Sequence, residues 1–262
     1  MSAHEIDYRI YGEEMQFVEI ELDPMETVIA ESGAFMMMDD GIEMATIFGD
    51  GSSSSQNSGV WGKVLSAGKR LITGESLFMT AFTHQGSGKK RVSFASPYPG
   101  RIIALDLATM GGKIICQKDA FLCAAKGVSV GIEFSRKLGR GLFGGEGFIM
   151  QKLEGDGWAF MHAGGNIHER ILEPGEVLKV DTGCIVGFTH EVNYDIEMVK
   201  GIKNAIFGGE GLFYARLQGP GRVWIQSLPF SRLAGRVLAN ARLGSGKGEG
   251  SVLGGLGDLL DG

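Results

Sequence analysis

One pattern is written three times along this chain, and it constrains the fold more than any other feature. Phe143-Gly144-Gly145-Glu146-Gly147-Phe148 returns as Phe207-Gly208-Gly209-Glu210-Gly211-Leu212, and a worn copy, Ile72-Thr73-Gly74-Glu75-Ser76-Leu77, stands earlier. A second marker accompanies each copy, as Ile42-Glu43-Met44, Ile132-Glu133-Phe134 and Ile196-Glu197-Met198. Glu146 follows Glu133 by 13 residues and Glu210 follows Glu197 by 13, but Glu75 follows Glu43 by 32, so the first copy carries an insert of 19 residues. Repetition of this kind points to one supersecondary unit used several times.

The unit is β. Val18-Glu19-Ile20-Glu21-Leu22, Val128 to Phe134 and Tyr194-Asp195-Ile196-Glu197-Met198 alternate in side-chain character, the period of a strand with one buried face. Turns are expected at Leu22-Asp23-Pro24, Leu107-Ala108-Thr109 and Leu172-Glu173-Pro174-Gly175, and each unit closes on a hairpin at Gly86-Ser87-Gly88, Glu154 to Gly157 or Gln218 to Gly221. Beyond those hairpins Trp158 and Trp224 read as matching positions, with Val92 as the counterpart in the first unit. Alternation assigns Phe134, Trp158, Met198 and Trp224 to the interior. The expected architecture is all-β: jelly-roll-like sandwich repeats over 5–99, 100–165 and 166–230, around a pseudo-threefold axis, then a helical segment and glycine-rich tail over 231–262.

Composition bounds the function classes. Forty-three glycines against six prolines suit many tight turns between short strands. A net charge of -6 opposes general affinity for nucleic acid, which needs many phosphate contacts from Lys and Arg. The first residues lack the apolar core of a secretion signal, and no apolar run approaches the roughly 20 residues of a spanning helix. Cys116, Cys123 and Cys184 sit among apolar neighbours, as small buried hydrophobes do, so a reducing cytoplasm is the expected setting.

Two segments stand outside the repeat. The insert, about 49–68, opens with a Ser/Gly/Asn-rich stretch and continues into Trp61, Val64 and Leu65, whose i, i+3, i+4 spacing near Lys63, Lys69 and Arg70 fits a short amphipathic helix. Such a helix either caps the β core or supplies an apolar anchor for a membrane or partner. After Pro229, Leu233, Arg236, Val237 and Leu238 carry helical spacing, and the tail ends in a leucine-bearing run, Leu253 to Leu260.

The glycine-flanked Glu corners, Gly74-Glu75-Ser76-Leu77-Phe78-Met79, the twin Phe-Gly-Gly-Glu-Gly blocks and the closing Leu228-Pro229-Phe230-Ser231-Arg232 together resemble the altered-inheritance-of-mitochondria protein 24 family of bacteria and mitochondria. The likeness runs from about residue 3 to 240. It implies a β-helical, jelly-roll-like fold of three repeats, similar to the trp RNA-binding attenuation protein. Mitochondrial members are associated with inner-membrane organisation, and the resemblance carries over no reaction.

Motifs for catalysis are weak. A cupin-type metal site needs clustered His with a carboxylate, yet of His4, His84, His162, His168 and His190 no two are separated by a single residue. His162, His168 and Glu169 come nearest, with Gly164-Gly165 turning the chain between them. The chain has no Gly-x-Ser-x-Gly elbow, and its Gly-rich blocks lack the Gly-Lys-Ser/Thr ending of a phosphate loop. No catalytic, cofactor or metal residues are therefore assigned.

The interaction candidates are Glu75, Glu146 and Glu210, with Arg70, Arg140 and Lys203 upstream, and Trp61, Val64 and Leu65 as apolar anchors. A ring of three carboxylates would suit a cation or a basic partner, whereas the structural reading has each Glu cap its own glycine corner or pair with a neighbouring unit. The expectation is a non-catalytic scaffold or binding protein, either a homo-oligomer or bound to a protein partner. The alternatives are a jelly-roll small-molecule or metal-binding enzyme and a peripheral membrane organiser.

Overall fold

The computed structural model describes residues 2–48, 78–136, 148–198 and 213–243. Met1–Pro229 form one compact unit and Phe230–Gly262 a second. In the first, β1 (Asp7–Tyr11) precedes six strands: β2 (Phe17–Leu22), β3 (Thr27–Glu31), β4 (Phe35–Met38), β5 (Ile42–Phe48), β6 (Phe78–His84) and β7 (Lys90–Ala95). Six more follow: β8 (Gly100–Asp106), β9 (Lys113–Gln117), β10 (Phe121–Ala125), β11 (Ser129–Arg136), β12 (Phe148–Glu154) and β13 (Trp158–Gly164). The last six are β14 (Ile167–Leu172), β15 (Val177–Asp181), β16 (Ile185–Thr189), β17 (Asn193–Met198), β18 (Phe213–Gln218) and β19 (Gly221–Gln226). The fold is all-β; among the described residues the exceptions are short 3-10 turns and one helix, α1 (Phe230–Leu243), which starts directly after Pro229.

Every group of six pairs its strands in the same way. The first, sixth and third strands lie side by side (β2-β7-β4, β8-β13-β10, β14-β19-β16), as do the second, fifth and fourth (β3-β6-β5, β9-β12-β11, β15-β18-β17). Two antiparallel junctions then join successive groups, β3 to β10 and β9 to β16, in one register: Ala30 faces Cys123 and Cys116 faces Gly187. A bulge recurs at the same point of the third strand, between Phe35 and Met37, Phe121 and Cys123, and Ile185 and Gly187. Among the described residues four sheets result, of four, six, six and three strands.

Packing follows from the junctions. One core lies between the four-stranded sheet and the first six-stranded sheet, around Ile20, Phe82, Phe94 and Phe160; the next lies between the two six-stranded sheets, around Leu105, Ile114, Met161 and Trp224; the last joins the second six-stranded sheet to β15-β18-β17, around Phe148, Phe188 and Leu217. The central strands of both six-stranded sheets thus bury both faces, and β10 and β16 are buried at every residue. That is why these strands read as unbroken apolar runs, whereas β2, covered on one face, alternates.

The register corrects the tryptophan alignment. Phe160 faces Cys123 and Trp224 faces Gly187, so Trp224 corresponds to Phe160, and to Ser93 in the first group. Trp158 instead corresponds to Arg222, two residues away, because spacing from the junction and not identity of the ring fixes the position. Trp224 is 1% exposed, and its indole N–H donates to Glu169 Oε2 at 3.0 Å. Trp158 is half-buried with its ring 4.8 Å from Tyr8, and Phe134 is half-buried against Tyr194. The side chain of Met198 lies outside the described residues, as does the 49–68 insert.

The N-terminal segment straps the first junction. The Ala3 amide donates to Asp156 Oδ1 at 2.7 Å, the His4 amide to the Lys126 carbonyl at 2.9 Å, and His4 Nδ1 accepts from the Thr27 amide at 2.9 Å. Gly157 makes room for the strap, since a Cβ there would stand 2.4 Å from that of Ala3. Truncation of the best-packed large side chain should cost most: Trp224→Ala is expected to lose about 3–5 kcal/mol, and Trp158→Ala distinctly less, in denaturant unfolding.

Candidate functional site

The repeat-related candidates Glu75, Glu146, Glu210, Arg70, Arg140 and Lys203, and the anchors Trp61, Val64 and Leu65, lie outside the described residues. Their chain positions fall between β5 and β6, β11 and β12, and β17 and β18, the same hairpin of each group. The ladders at the bases of these hairpins end on Phe48 paired with Phe78, Arg136 with Phe148, and Met198 with Phe213. Of the Ile-Glu markers, Glu133 ion-pairs with Lys113 at 3.1 Å, Glu197 accepts from the Tyr214 hydroxyl, and Glu43 is exposed. The two contacts stay within their own group of strands.

Potential ligands and nucleophiles are dispersed into structural tasks. His84, fully buried, holds the turn after β6: one ring nitrogen contacts the Gly88 carbonyl at 2.8 Å and the other accepts from the Gly86 amide at 3.1 Å. His168 is exposed on β14, while Glu169 beside it binds Arg222 and Trp224. Among the described residues no three or more His, Cys, Asp or Glu side chains group as metal ligands would. Burial pushes the Cys116 and Cys123 thiols well above their ordinary range, opposing the thiolate a nucleophile needs, and Cys184 is half-buried.

A polar seam runs where the second strands end. Glu31, Gln117 and Asp181 close β3, β9 and β15 respectively. Gln117 donates to the Thr182 carbonyl at 2.7 Å, Gln226 donates to the Gly183 carbonyl at 2.9 Å, and Gln226 Oε1 accepts from the Gly164 amide at 2.8 Å. Burial drives the Glu31 carboxyl up to about 7, with Asp119 adding repulsion and Lys118 opposing it. His162, which occupies on β13 the place of Gln226 on β19, is 2% exposed and stands edge-on to Tyr98 at 4.6 Å. Its two ring nitrogens have no hydrogen-bond partner among the described residues, and burial alone lowers its pKa to about 4. Sequence reading missed this seam; the available signal was a polar residue closing the second strand of each group at one repeat position.

Among the described residues β4 carries an unbroken run of exposed apolar side chains. Phe35, Met36, Met37 and Met38 are 40%, 48%, 46% and 37% exposed, whereas every residue of the corresponding β10 and β16 is buried. A run of three methionines gives no strand alternation to flag it, so its exposure depended on which strand lay beside it.

Comparison with known proteins now adds a family. Residues 8–228 match the family model described as mitochondrial biogenesis AIM24. The chain belongs to the AIM24 family. An uncharacterized protein of Streptococcus pyogenes serotype M6 is 30% identical over 227 residues, covering 85% of this chain and 86% of that relative. A crystal structure of a Streptococcus pyogenes protein shares the fold, with a TM-score of 0.68 at 24% identity, covering 90% of this chain and all of that one.

In this AIM24 protein the two perturbed groups act on stability with opposite signs. Glu31 binds its proton more tightly when folded, so its contribution is full below about pH 4.5 and is lost as pH rises through about 7. His162 binds its proton less tightly when folded, so its contribution is full above 6.5 and is lost as pH falls through about 4. Glu31→Gln is therefore expected to gain on the wild type as pH rises toward and beyond 7. His162→Gln, which installs the residue of β19, should gain as pH falls below 6.5. Neither difference should change faster than about 1.4 kcal/mol per pH unit, read from denaturation midpoints across the range.

Proposed function

We propose that this AIM24 protein is a non-catalytic scaffold or binding protein whose work is to dock other protein subunits, in the cytoplasm. The observation that carries the reading is β4, an exposed apolar edge strand with no charged side chain to guard it. Support comes also from the titratable groups of the described residues, among which turns, ion pairs and the seam occupy His84, Glu133, Glu169 and Glu31 and no three or more His, Cys, Asp or Glu group as metal ligands would. The three groups of strands are read as repeats about a pseudo-threefold axis, similar to the trp RNA-binding attenuation protein. Glu75, Glu146 and Glu210, with Arg70, Arg140 and Lys203, would then supply charge at the rim of the contact, where it selects partners more than it adds affinity. No cofactor is required by this reading.

A second reading, a peripheral membrane organiser, draws support from α1. Arg232 and Arg236 share one side of that helix, while Phe230, Val237 and Leu238 are exposed apolar residues and no acidic residue lies in its first turn. Among the described residues no helix is long and apolar enough to cross a membrane.

Affinity purification of the intact chain separates these readings. Recovery of a protein in near-stoichiometric amount, lost when Met36 and Met38 are both changed to Glu, is the expected outcome. Flotation with anionic vesicles that disappears on removing residues 230–262 would favour the membrane reading instead. A purified chain retaining stoichiometric transition metal would replace both with the jelly-roll enzyme.

A further inference from the structure

The recurring pairing scheme stops short at β4 and β15. Twice, the second strand of one group pairs with the third strand of the next, β3 with β10 and β9 with β16. By the same scheme β15, a second strand, lacks a third strand, and β4, a third strand, lacks a second. Among the described residues β4 pairs with β7 alone and β15 with β18 alone, each ending its sheet. Other edges differ: β5, β11 and β17 are edges in all three groups alike, and β14 presents His168, Glu169 and Arg170.

Two further observations identify these edges as halves of one contact. The β4 bulge between Phe35 and Met37 is the bulge of β10 and β16, which nevertheless pair on both sides. Within one chain the halves stay apart, for all of β4 is exposed and Val177 on β15 is 40% exposed, where β10 and β16 are buried throughout. A second copy of the chain carries both halves.

We propose that β4 of one copy adds antiparallel to β15 of a second copy in the register of the internal junctions: Met37 opposite Val180, Met38 opposite Lys179 and Asp39 opposite Leu178. This deepens the docking reading above and rests on it. The four-stranded and three-stranded sheets would merge into one of seven. Where the internal junctions pair small residues, Ala30 with Cys123 and Cys116 with Gly187, this one pairs methionine with valine. The unbranched, adaptable methionine side chain suits a contact that forms after folding. Exposed Asp40 beside β4 and exposed Lys179 on β15 bring opposite charges to the two edges. The contact joins unlike surfaces, so it propagates head to tail and ends as a closed ring or an open series, according to the angle between copies.

The test uses full-length chains carrying Cys184→Ala. One preparation also carries Met38→Cys and another Lys179→Cys; the two are mixed under mild oxidation. A disulfide-linked dimer that forms in the mixture, maps to positions 38 and 179, and is not matched by either preparation alone is expected. Sedimentation of the wild-type chain at micromolar concentration should give a mass above the monomer, returning to the monomer for Met37→Glu/Met38→Glu. Three results would overturn the proposal: a monomeric wild-type chain, an assembly that survives the double Glu substitution, or a chain carrying both cysteines that links only to itself. Each leaves open the capture of a different protein through β4, so loss of the second copy as occupant is distinguishable from loss of the docking reading.

Discussion

The antiparallel junctions between successive groups of strands are what the rest of the structure depends on. A six-stranded sheet whose central strands are buried on both faces exists here only because β3 hydrogen-bonds to β10 and β9 to β16. Those bonds satisfy backbone groups that would otherwise be buried unpaired, at a cost comparable to losing the bond itself. They also dictate residue size. At Gly187 a Cβ would stand 2.8 Å from the Ile115 carbonyl oxygen and 3.1 Å from the Met161 sulfur, so the sheet leaves no room for a side chain there. At the equivalent position of the first junction Ala30 meets Cys123, again a pair of small side chains.

Much of the fold was legible in the sequence. The Ile-Glu markers fall on β5, β11 and β17, and the helix begins directly after Pro229. The glycine-marked turns at 86–88, 154–157 and 218–221 lie where the sequence put them, but they are not the hairpins expected: each joins strands of two different sheets, β6 to β7, β12 to β13 and β18 to β19. What stayed hidden was everything decided by a neighbouring strand. Alternation fails for β10 and β16, whose faces are both covered, and the pairing of Trp158 with Trp224 failed because it matched ring chemistry and not distance from the junction. Of the candidate site less could be read. The glycine-flanked carboxylates were conspicuous in sequence but lie outside the described residues, while β4 was inconspicuous because three consecutive methionines carry no period. Among the described residues no strand flanks β4 on the side away from β7, a property of topology that no local window contains.

The polar seam has a similar origin. Glu31, Gln117 and Asp181 close equivalent strands, yet each meets a different local need. Asp181 accepts from the Gly183 amide at 2.9 Å and so fixes its own turn, Gln117 reaches across to the next group, and Glu31 sits half-buried near Asp119. His162 and Gln226 differ in the same manner: the amide donates and accepts where the imidazole finds no partner among the described residues.

That divergence carries a consequence of building the body from one polypeptide. Three identical chains joined edge to edge would place one residue type at every junction, and a carboxylate disfavoured by burial would be disfavoured three times over. Covalent linkage lifts the identity requirement. Each seam can hold its own proton balance, so acidification can strengthen the junction at Glu31 while weakening the neighbourhood of His162. A symmetric assembly would have to respond everywhere at once.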